Sequence, residues 1–519
     1  MKLAELVQVS SGVAATRSRL KKRAILSECL ASAPAGEIRL IVNYLSGVLP
    51  QGKIGVGYAL LREIEVATAD QPASQDLVEV DAAFTRIAEV SGKGSKEARR
   101  SELANLFADI APEERDLLQR LILGELRQGA LEAVLVDALA DATGLPATDL
   151  RRAVMLEADS ALVAEVAFRD GAAGLEQFRL EPLKPVKPML AQPAEGIDDA
   201  MDAHGTAALE IKLDGARVQV HKQGKEVRVY SRALNEVTAS VPEVVEAALV
   251  LPVDSIILDG EVIALDKSGR PLPFQVTMRR FGRRSNVAEM REKLPLSVFF
   301  FDCLYLDGEA LIDSEYEARV GRMAAISDEE VLVERLVTAD RDEAAAFLSQ
   351  AFERGHEGLM AKALASPYAA GSRGGEWLKI KQAHTLDLVV LAAEWGSGRR
   401  KGWLSNLHLG ARDPETGEFV MLGKTFKGLT DKLLTWQTKA LLAIESSRED
   451  HVVFVEPSLV VEIAFNDIQA SPQYPAGMAL RFARVKRYRK DKTSLEADTI
   501  DTVRQLFAGQ SGTPPRERD

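Results

Sequence analysis

The feature that most constrains the fold is a proline-rich segment that separates two parts of the chain with different sequence patterns. Residues 180–193 read Leu-Glu-Pro-Leu-Lys-Pro-Val-Lys-Pro-Met-Leu-Ala-Gln-Pro, which predicts an extended, semi-rigid connector over 179–193. Before it, apolar residues recur at helical spacing, and after it short alternating runs predict strands. A chain of 519 residues is too long for one core, so we expect about three domains.

The first third of the chain, residues 1–178, is predicted to be all-helical. The stretch 111–126 opens with a proline and two acids and then repeats apolar residues at spacings of three and four. Further helices are predicted over 131–140 and 148–157. We find no fixed-period repeat, so a solenoid is not expected.

The rest of the chain divides into two strand-containing parts. Residues 194–383 are predicted to mix short strands with helices, as in an α+β domain. Residues 384–507 are mostly strand-like, with one helix at about 431–444, and this order fits a small barrel. The final segment, 508–519, is rich in Gly, Pro and charge and is predicted to be disordered.

Composition excludes several classes of protein. A hydrophobic content of 46% without a run of 18 or more apolar residues favours a soluble globular protein with no membrane contact, and a cytoplasmic location, at the nucleoid if the source is bacterial. The two cysteines, Cys29 and Cys303, offer neither a disulfide framework nor a four-cysteine zinc site. The net charge of −12 argues against nonspecific adhesion to nucleic acid but allows a local basic face.

The stretch Glu210-Ile-Lys-Leu-Asp-Gly-Ala-Arg217 carries the first candidate for chemistry. Alternation on both sides predicts a strand, a turn and a second strand. A lysine at a strand end, here Lys212, can be a nucleophile if burial or neighbouring cations lower its pKa. Asp214 could orient it, and Gly215 would let a phosphate approach the backbone. An exposed hairpin turn would have the same sequence, so a catalytic interpretation needs support from segments further along the chain.

Downstream segments add charged and aromatic side chains that each have a structural alternative. Phe301 could belong to a core, Glu261 to a salt bridge, and a pair of lysines to an exposed strand face. Together they would supply a nucleophile, cations for a triphosphate, carboxylates for magnesium and an aromatic face for a base, as nucleotidyl transfer requires. In chain order they are Arg232 after a strand, Asp259 and Glu261 on one face of a strand, Phe301 within a buried strand, Glu357 and Lys362 on one strand, and Lys379 and Lys381 on one face of another.

In order, spacing and identity these segments resemble motifs I, III, IIIa, IV and V of the covalent nucleotidyltransferases, specifically ATP-dependent DNA ligases of the actinobacterial ligase B type. Residues 481–492, with seven basic residues against one acid, resemble the sixth motif. The stretches 424–430 and 461–470 resemble the ligase barrel, and 124–132 resembles the ligase DNA-binding domain. The resemblance implies a multidomain protein: an all-α N-terminal DNA-binding domain, an α+β nucleotidyltransferase (adenylation) domain and a β-barrel OB-fold domain.

The resemblance also implies individual roles. Lys212 would be adenylated by ATP, Glu210 would approach the adenine edge, and Phe301 would stack on the base. Arg489 and Lys492, with the acid between them, would swing in from the barrel to orient the pyrophosphate.

Other implied roles concern the phosphates and the metal. Glu261 and Glu357 would lie near Mg²⁺, while Lys379 and Lys381 would contact the α-phosphate. The remaining residues implied in catalysis or ATP binding are Asp214, Arg217, Arg232, Lys362, Arg373 and Trp377.

The implied activity is ATP-dependent sealing of nicks in duplex DNA, without sequence preference, by a monomer that encircles its substrate. RNA ligases and capping guanylyltransferases belong to the same superfamily, but the long helical domain favours a DNA ligase. An NAD-dependent ligase is disfavoured because its four zinc-binding cysteines are missing. A catalytically dead DNA clamp would have no reason to retain Lys212 together with the Arg-x-Asp-Lys of the sixth motif.

Overall fold

The computed structural model describes residues 1–64, 74–108, 110–126, 132–283, 285–369, 374–381 and 384–511. Arg373 and residues 127–131 of the stretch 124–132 therefore lie outside the described residues. Within the described residues, no helix is both long enough and apolar enough to span a bilayer.

The N-terminal region is helical, as predicted. The helix predicted from residue 111 begins at Pro112, and the Glu114 carboxylate caps it by accepting a hydrogen bond from the Ala111 N–H at 2.8 Å. Buried side chains such as Phe84 and Phe107 join these helices into one core. Helices α1 to α10 span Leu3–Ala15, Arg19–Ser32, Ile38–Ser46, Tyr58–Arg62, Leu77–Glu89, Ser95–Ala108, Pro112–Ile122, Glu132–Thr143, Ala147–Glu157 and Ser160–Leu175.

The middle region contains two five-stranded sheets, ordered β1-β10-β9-β2-β8 and β4-β3-β5-β6-β7. Strands β1 to β10 span Gln192–Pro193, Ala207–Lys212, Ala216–Gln223, Glu226–Ser231, Ser255–Ala264, Leu296–Leu306, Glu309–Ala310, Arg335–Thr338, Gly358–Ala363 and Trp377–Lys381. Helices α11 to α16 span Ile197–His204, Pro242–Leu249, Phe274–Phe281, Val287–Lys293, Tyr316–Ala324 and Arg341–Glu353.

The stretch around Lys212 is not a hairpin, because β2 and β3 belong to different sheets. Strand β2 pairs with β8 and β9, whereas β3 pairs with β4 and β5. The turn at 213–215 therefore carries the chain from one sheet to the other. Alternation in the sequence located both strands but could not reveal that their partners lie far along the chain.

The connector is fixed to the second sheet at every third residue. The Leu183 N–H donates to His221 Nδ1 at 3.1 Å, and its carbonyl accepts from Tyr230 Oη. The Val186 N–H donates to Gln219 Oε1 at 2.8 Å, and its carbonyl accepts from Gln219 Nε2 at 3.2 Å. Burial lowers the pKa of His221 to about 3, so the imidazole is neutral and can accept this hydrogen bond.

The third attachment of the connector reaches the predicted site. The Met189 N–H donates to Tyr368 Oη at 3.0 Å, and its carbonyl accepts from Arg217 Nη1 at 2.6 Å. Side chains of β3 at alternate positions, 217, 219 and 221, thus hold the connector along one face of the sheet.

The C-terminal region is rich in strands, as predicted. A seven-stranded sheet has the order β13-β12-β11-β15-β14, with β16 paired to β11 and β19, and β17 pairs with β18 separately. Strands β11 to β19 span His384–Trp395, Leu404–Arg412, Phe419–Thr425, Glu445–Glu449, Val452–Val455, Val460–Phe465, Asp467–Ala470, Met478–Arg481 and Arg484–Tyr488.

Two helices, α17 (Asp431–Ala443) and α18 (Ile500–Ser511), pack on the strands of this region. Helix α17 matches the predicted helix. Helix α18 continues past residue 507, where we expected the disordered end to begin, because Ile500 and Val503 are fully buried in the strand-rich core and anchor it. Residues 512–519 lie outside the described residues.

Candidate active site

Lys212 ends β2 at the junction of the two sheets. Its side chain is only 18% exposed, and its Nζ donates to Glu357 Oε2. Lys381 Nζ donates to the other oxygen, Oε1, of the same carboxylate. Glu357 was expected on a strand, but it lies just before β9, and its N–H donates to the Lys212 carbonyl at 3.2 Å. One carboxylate therefore holds two ammonium groups from two different strands.

Glu357 is one carboxylate between two ammonium groups. Burial alone would raise the pKa of Glu357, but the two lysines outweigh it and lower the pKa, so this group is a carboxylate. Burial and the nearby charge of Lys212 lower the pKa of Lys381. The two ammonium groups are donors of the kind that bind phosphate.

Glu261 faces the same cluster from β5. Its Oε1 accepts a hydrogen bond from the Gly215 N–H at 3.1 Å. A Cβ on Gly215 would lie 2.3 Å from the Val262 carbonyl oxygen, so glycine is needed here for the close approach of β5 to the turn. Burial raises the pKa of Glu261 to about 7, against the attraction of Lys212 and Arg217.

Arg217 is held by a buried network. Its Nε and Nη2 donate to the two oxygens of Asp259 at 3.1 and 2.6 Å. Tyr368 Oη donates to Asp259 Oδ2 at 2.6 Å and lies 3.2 Å from Arg217 Nη2. Because Met189 also binds Arg217 and Tyr368, the guanidinium is fixed by the sheet, the connector and the loop after β9 at once.

Glu210 and Phe301 form another side of the site with Lys362 and Trp377. Lys362 Nζ lies 2.6 Å from Glu210 Oε2, and it also lies over the Phe301 and Trp377 rings, 4.7 and 4.3 Å from their centroids. The two rings meet edge to face with centroids 6.1 Å apart. Burial lowers the pKa of Lys362, while Glu210 opposes that effect.

The C-terminal region contributes Arg481 to the site, which sequence reasoning did not assign a role. Its Nη1 lies 3.1 Å from Asp214 Oδ2, beside Lys212. Burial, with help from Glu357, raises the pKa of Asp214, and Arg481 opposes this shift. Arg481 belongs to the basic run 481–492, and that run was the only sequence signal that could have identified it.

Arg489 and Lys492 of the same run do not reach the site in this structure. Arg489 Nη1 and Lys492 Nζ lie 2.8 and 2.6 Å from Asp387 Oδ2, within their own region. Arg489 also donates to both oxygens of Asp491. The predicted approach of these residues to a pyrophosphate would require the region to turn.

A cavity of about 540 Å³ unites the site. Every predicted site residue between 210 and 381 that the structure describes lines this cavity, and Arg373 falls outside the described residues. The lining members of that set are Glu210, Lys212, Asp214, Arg217, Arg232, Glu261, Phe301, Glu357, Lys362, Trp377, Lys379 and Lys381.

The carboxylates present suit a magnesium ion that is bound together with a nucleotide. Among the described residues, no group of three or more His, Cys, Asp or Glu side chains could hold a metal ion. Mg²⁺ usually takes only one or two protein carboxylates and completes its shell with phosphates and water. Glu261 and Glu357 line the same cavity and meet that lower requirement.

The sequence matches three family descriptions. They are "DNA ligase N terminus" over residues 56–140, "ATP dependent DNA ligase domain" over 188–381 and "ATP dependent DNA ligase C terminal region" over 400–492. The second match covers every residue of the site except those that the C-terminal region supplies.

Matches to similar proteins cover almost the whole chain. A probable DNA ligase of Anaeromyxobacter sp. (strain Fw109-5) is 58% identical over 98% of this chain and 99% of the relative. One of Mycolicibacterium gilvum (strain PYR-GCK) is 51% identical over 98% and 99%, respectively. A solved structure named Pmar-Lig_Pre covers 93% of this chain and 99% of its own with a TM-score of 0.62 at 18% identity, a likeness of fold.

Proposed function

The chain belongs to the family of ATP-dependent DNA ligases, which act through a covalent adenylate, and from this premise we propose how its own residues seal a nick. The proposed reaction has three steps. Lys212 takes AMP from ATP, AMP passes to the 5′-phosphate of a nick, and the 3′-hydroxyl displaces AMP to join the strand. Domains are proposed at 1–178, 194–383 and 384–507, with the last as an OB fold.

In the first step the Lys212 amine attacks the α-phosphorus of ATP. The reacting form is the neutral amine, and Lys212 lies at the cavity with its Nζ beside Glu357 and Lys381. An N–P bond forms as the P–O bond to pyrophosphate breaks. Lys379 and Lys381, which line the cavity, would neutralise charge on the transferring phosphate.

Magnesium would bind to Glu261 and Glu357 together with the ATP phosphates. It would stabilise negative charge on the phosphates in the transition state and thereby assist departure of the pyrophosphate. The charge cluster of Glu357 with Lys212 and Lys381 is the observation that best supports adenylation at Lys212. A nucleotide phosphate would pair with the two lysines, and Mg²⁺ would take their place beside the Glu357 carboxylate.

The later steps need a DNA duplex held across the site. We propose that a monomer encircles nicked DNA, with the helical domain on one side and the C-terminal domain on the other. Recognition would use phosphates and groove shape and so would not depend on sequence. Arg489 and Lys492 would leave Asp387 and reach the pyrophosphate when the C-terminal domain rotates.

The test is self-adenylation with α-labelled ATP and Mg²⁺, followed by denaturing electrophoresis. Wild-type protein should retain the label and Lys212→Ala should not, while nicked DNA should discharge the labelled enzyme. Lys293→Ala, which changes an exposed lysine paired with Glu289, is the matched control and should label normally.

Other outcomes would redirect the proposal. Label from GTP instead of ATP would indicate capping chemistry. No label from either nucleotide, after bound AMP has been removed with pyrophosphate, would favour a DNA clamp without catalysis.

A further inference from the structure

Glu210 is bound by the protein on both oxygens. Tyr316 Oη donates to Oε1, and Lys362 Nζ lies 2.6 Å from Oε2. Tyr316 is fully buried, and Glu210 and Lys362 are 3% and 1% exposed. Tyr316 begins α15 and does not line the nucleotide cavity, whereas Glu210 does. The hydroxyl of this tyrosine can therefore act on a ligand through Glu210.

The partner on the other oxygen is itself immobilised. Lys362 Nζ also donates to the Phe301 carbonyl at 3.2 Å, and it lies over the Tyr316 ring, 4.8 Å from the centroid. Together with the Phe301 and Trp377 rings, this forms an aromatic enclosure around the ammonium. An ammonium has donors only, so Lys362 fixes the position of one carboxylate oxygen and uses it as an acceptor.

The tyrosine fixes the other oxygen as an acceptor. Burial and the neighbouring Glu210 raise the pKa of Tyr316 well above its usual value, so its hydroxyl keeps the proton that it donates. A carboxylate offers about four lone-pair sites, and this clamp uses two of them. Because both of its partners donate, the group that Glu210 presents to the cavity is an acceptor.

An acceptor-only group discriminates between purines. The 6-amino group of adenine can donate a hydrogen bond to it, whereas the 6-oxo group of guanine would face it with a second acceptor. A site built around a hydrogen bond rejects ligands that leave its polar group unpaired.

We propose that Tyr316 is a positioning residue that, through its hydrogen bond to Glu210, sets the preference of this enzyme for a 6-aminopurine nucleotide. The inference rests on the proposed self-adenylation. It assigns a role to a residue outside the cavity, and it predicts that the effect of Tyr316 depends on one group of the nucleotide.

The experiment compares two nucleotides on the full-length protein. ATP and purine ribonucleoside 5′-triphosphate differ only in the 6-amino group, and kcat/KM for self-adenylation is measured with each. Wild type should prefer ATP, and Tyr316→Phe should reduce that preference about tenfold, the usual effect of a hydrogen bond to a charged group. The loss should appear mainly as a higher KM for ATP, and kcat/KM for the purine analogue should be unchanged.

Tyr44→Phe is the matched control. It removes a buried hydroxyl that lies 3.2 Å from Asp81 in the helical region, far from the nucleotide cavity. Its preference between the two nucleotides should equal that of wild type. Thermal melting of both variants establishes that they are folded. If Tyr316→Phe does not fold, Glu210→Gln is tested in its place; this change adds a hydrogen-bond donor and should abolish the preference for ATP.

The outcomes separate the two levels of inference. Equal losses with ATP and the purine analogue in Tyr316→Phe, or no change with either, would overturn the positioning role. An unchanged preference in Glu210→Gln would overturn it as well. Failure of wild type to label with ATP would instead overturn the proposed function, because the comparison of nucleotides presupposes it.

Discussion

Replacing Asp259 by asparagine should destabilise the catalytic region strongly. Asp259 is 1% exposed and accepts from Arg217 through both oxygens and from Tyr368 at 2.6 Å. Asparagine keeps the shape but loses the charge, so the guanidinium of Arg217 is left without its counter-ion. Removing one partner of a buried ion pair costs about 3–5 kcal/mol, and we expect about 3 kcal/mol because the amide oxygen can still accept a hydrogen bond.

Calorimetry can measure this loss. For a domain of about 150–250 residues, 1 kcal/mol shifts Tm by roughly 2–4 °C, so the transition of the catalytic region should fall by about 6–12 °C. The control is Asp313→Asn, which breaks an ion pair with Arg152 whose side chains are 47% and 65% exposed. Exposed pairs contribute about 1 kcal/mol or less, so Tm should fall by no more than about 4 °C. Equal shifts in the two variants would refute the reasoning.

Two further predictions concern activity. Burial raises the pKa of Glu261 to about 7, so its ionised fraction falls as pH drops from 8 to 6. The rate of self-adenylation should fall with that fraction. In a pH–rate profile, Glu261→Gln should show no inflection near pH 7. Stability should depend on pH in the opposite direction. The fold favours protonated Glu261, so the contribution of this residue to the free energy of unfolding is complete below the usual pKa of 4.5 and is lost as pH rises through about 7. Melting at several pH values would show this loss. Arg481→Ala should slow self-adenylation about tenfold because Asp214 loses its partner. Arg484 is an exposed residue of the same run, and Arg484→Ala should leave the rate unchanged. Equal rates for the two variants in stopped-flow assays would contradict this prediction.

The membership of the site was predictable from sequence to a large extent. Chain order and the resemblance to the ligase motifs selected the residues from Glu210 to Lys381, and the structure brings those that it describes to one cavity. Alternation indicates which residues lie on the same face of a strand. Charged side chains on a buried face need partners of opposite charge, so they are expected to lie close to one another. The roles of those residues remain predictions that the proposed experiments test.

Other features had no signal in the sequence. Tyr316 and Tyr368 are single aromatic residues on a helix and a loop, and nothing in their neighbourhood distinguishes them from core residues. Which cations of the run 481–492 face the cavity depends on how two regions are oriented, and local spacing carries no information about that. The structure accordingly brings Arg481 to Asp214 but leaves Arg489 with Asp387.

The attachment of the connector has a consequence for how its length can change in evolution. Leu183, Val186 and Met189 are spaced by three residues, and the side chains that bind them are spaced by two along β3. Inserting or deleting one residue between attachments would turn a different backbone group toward each partner and leave Gln219 or Arg217 unpaired. Insertions before Leu183 or after Met189 would leave all three pairings intact, so homologous connectors should keep the length of 183–189 and vary outside it.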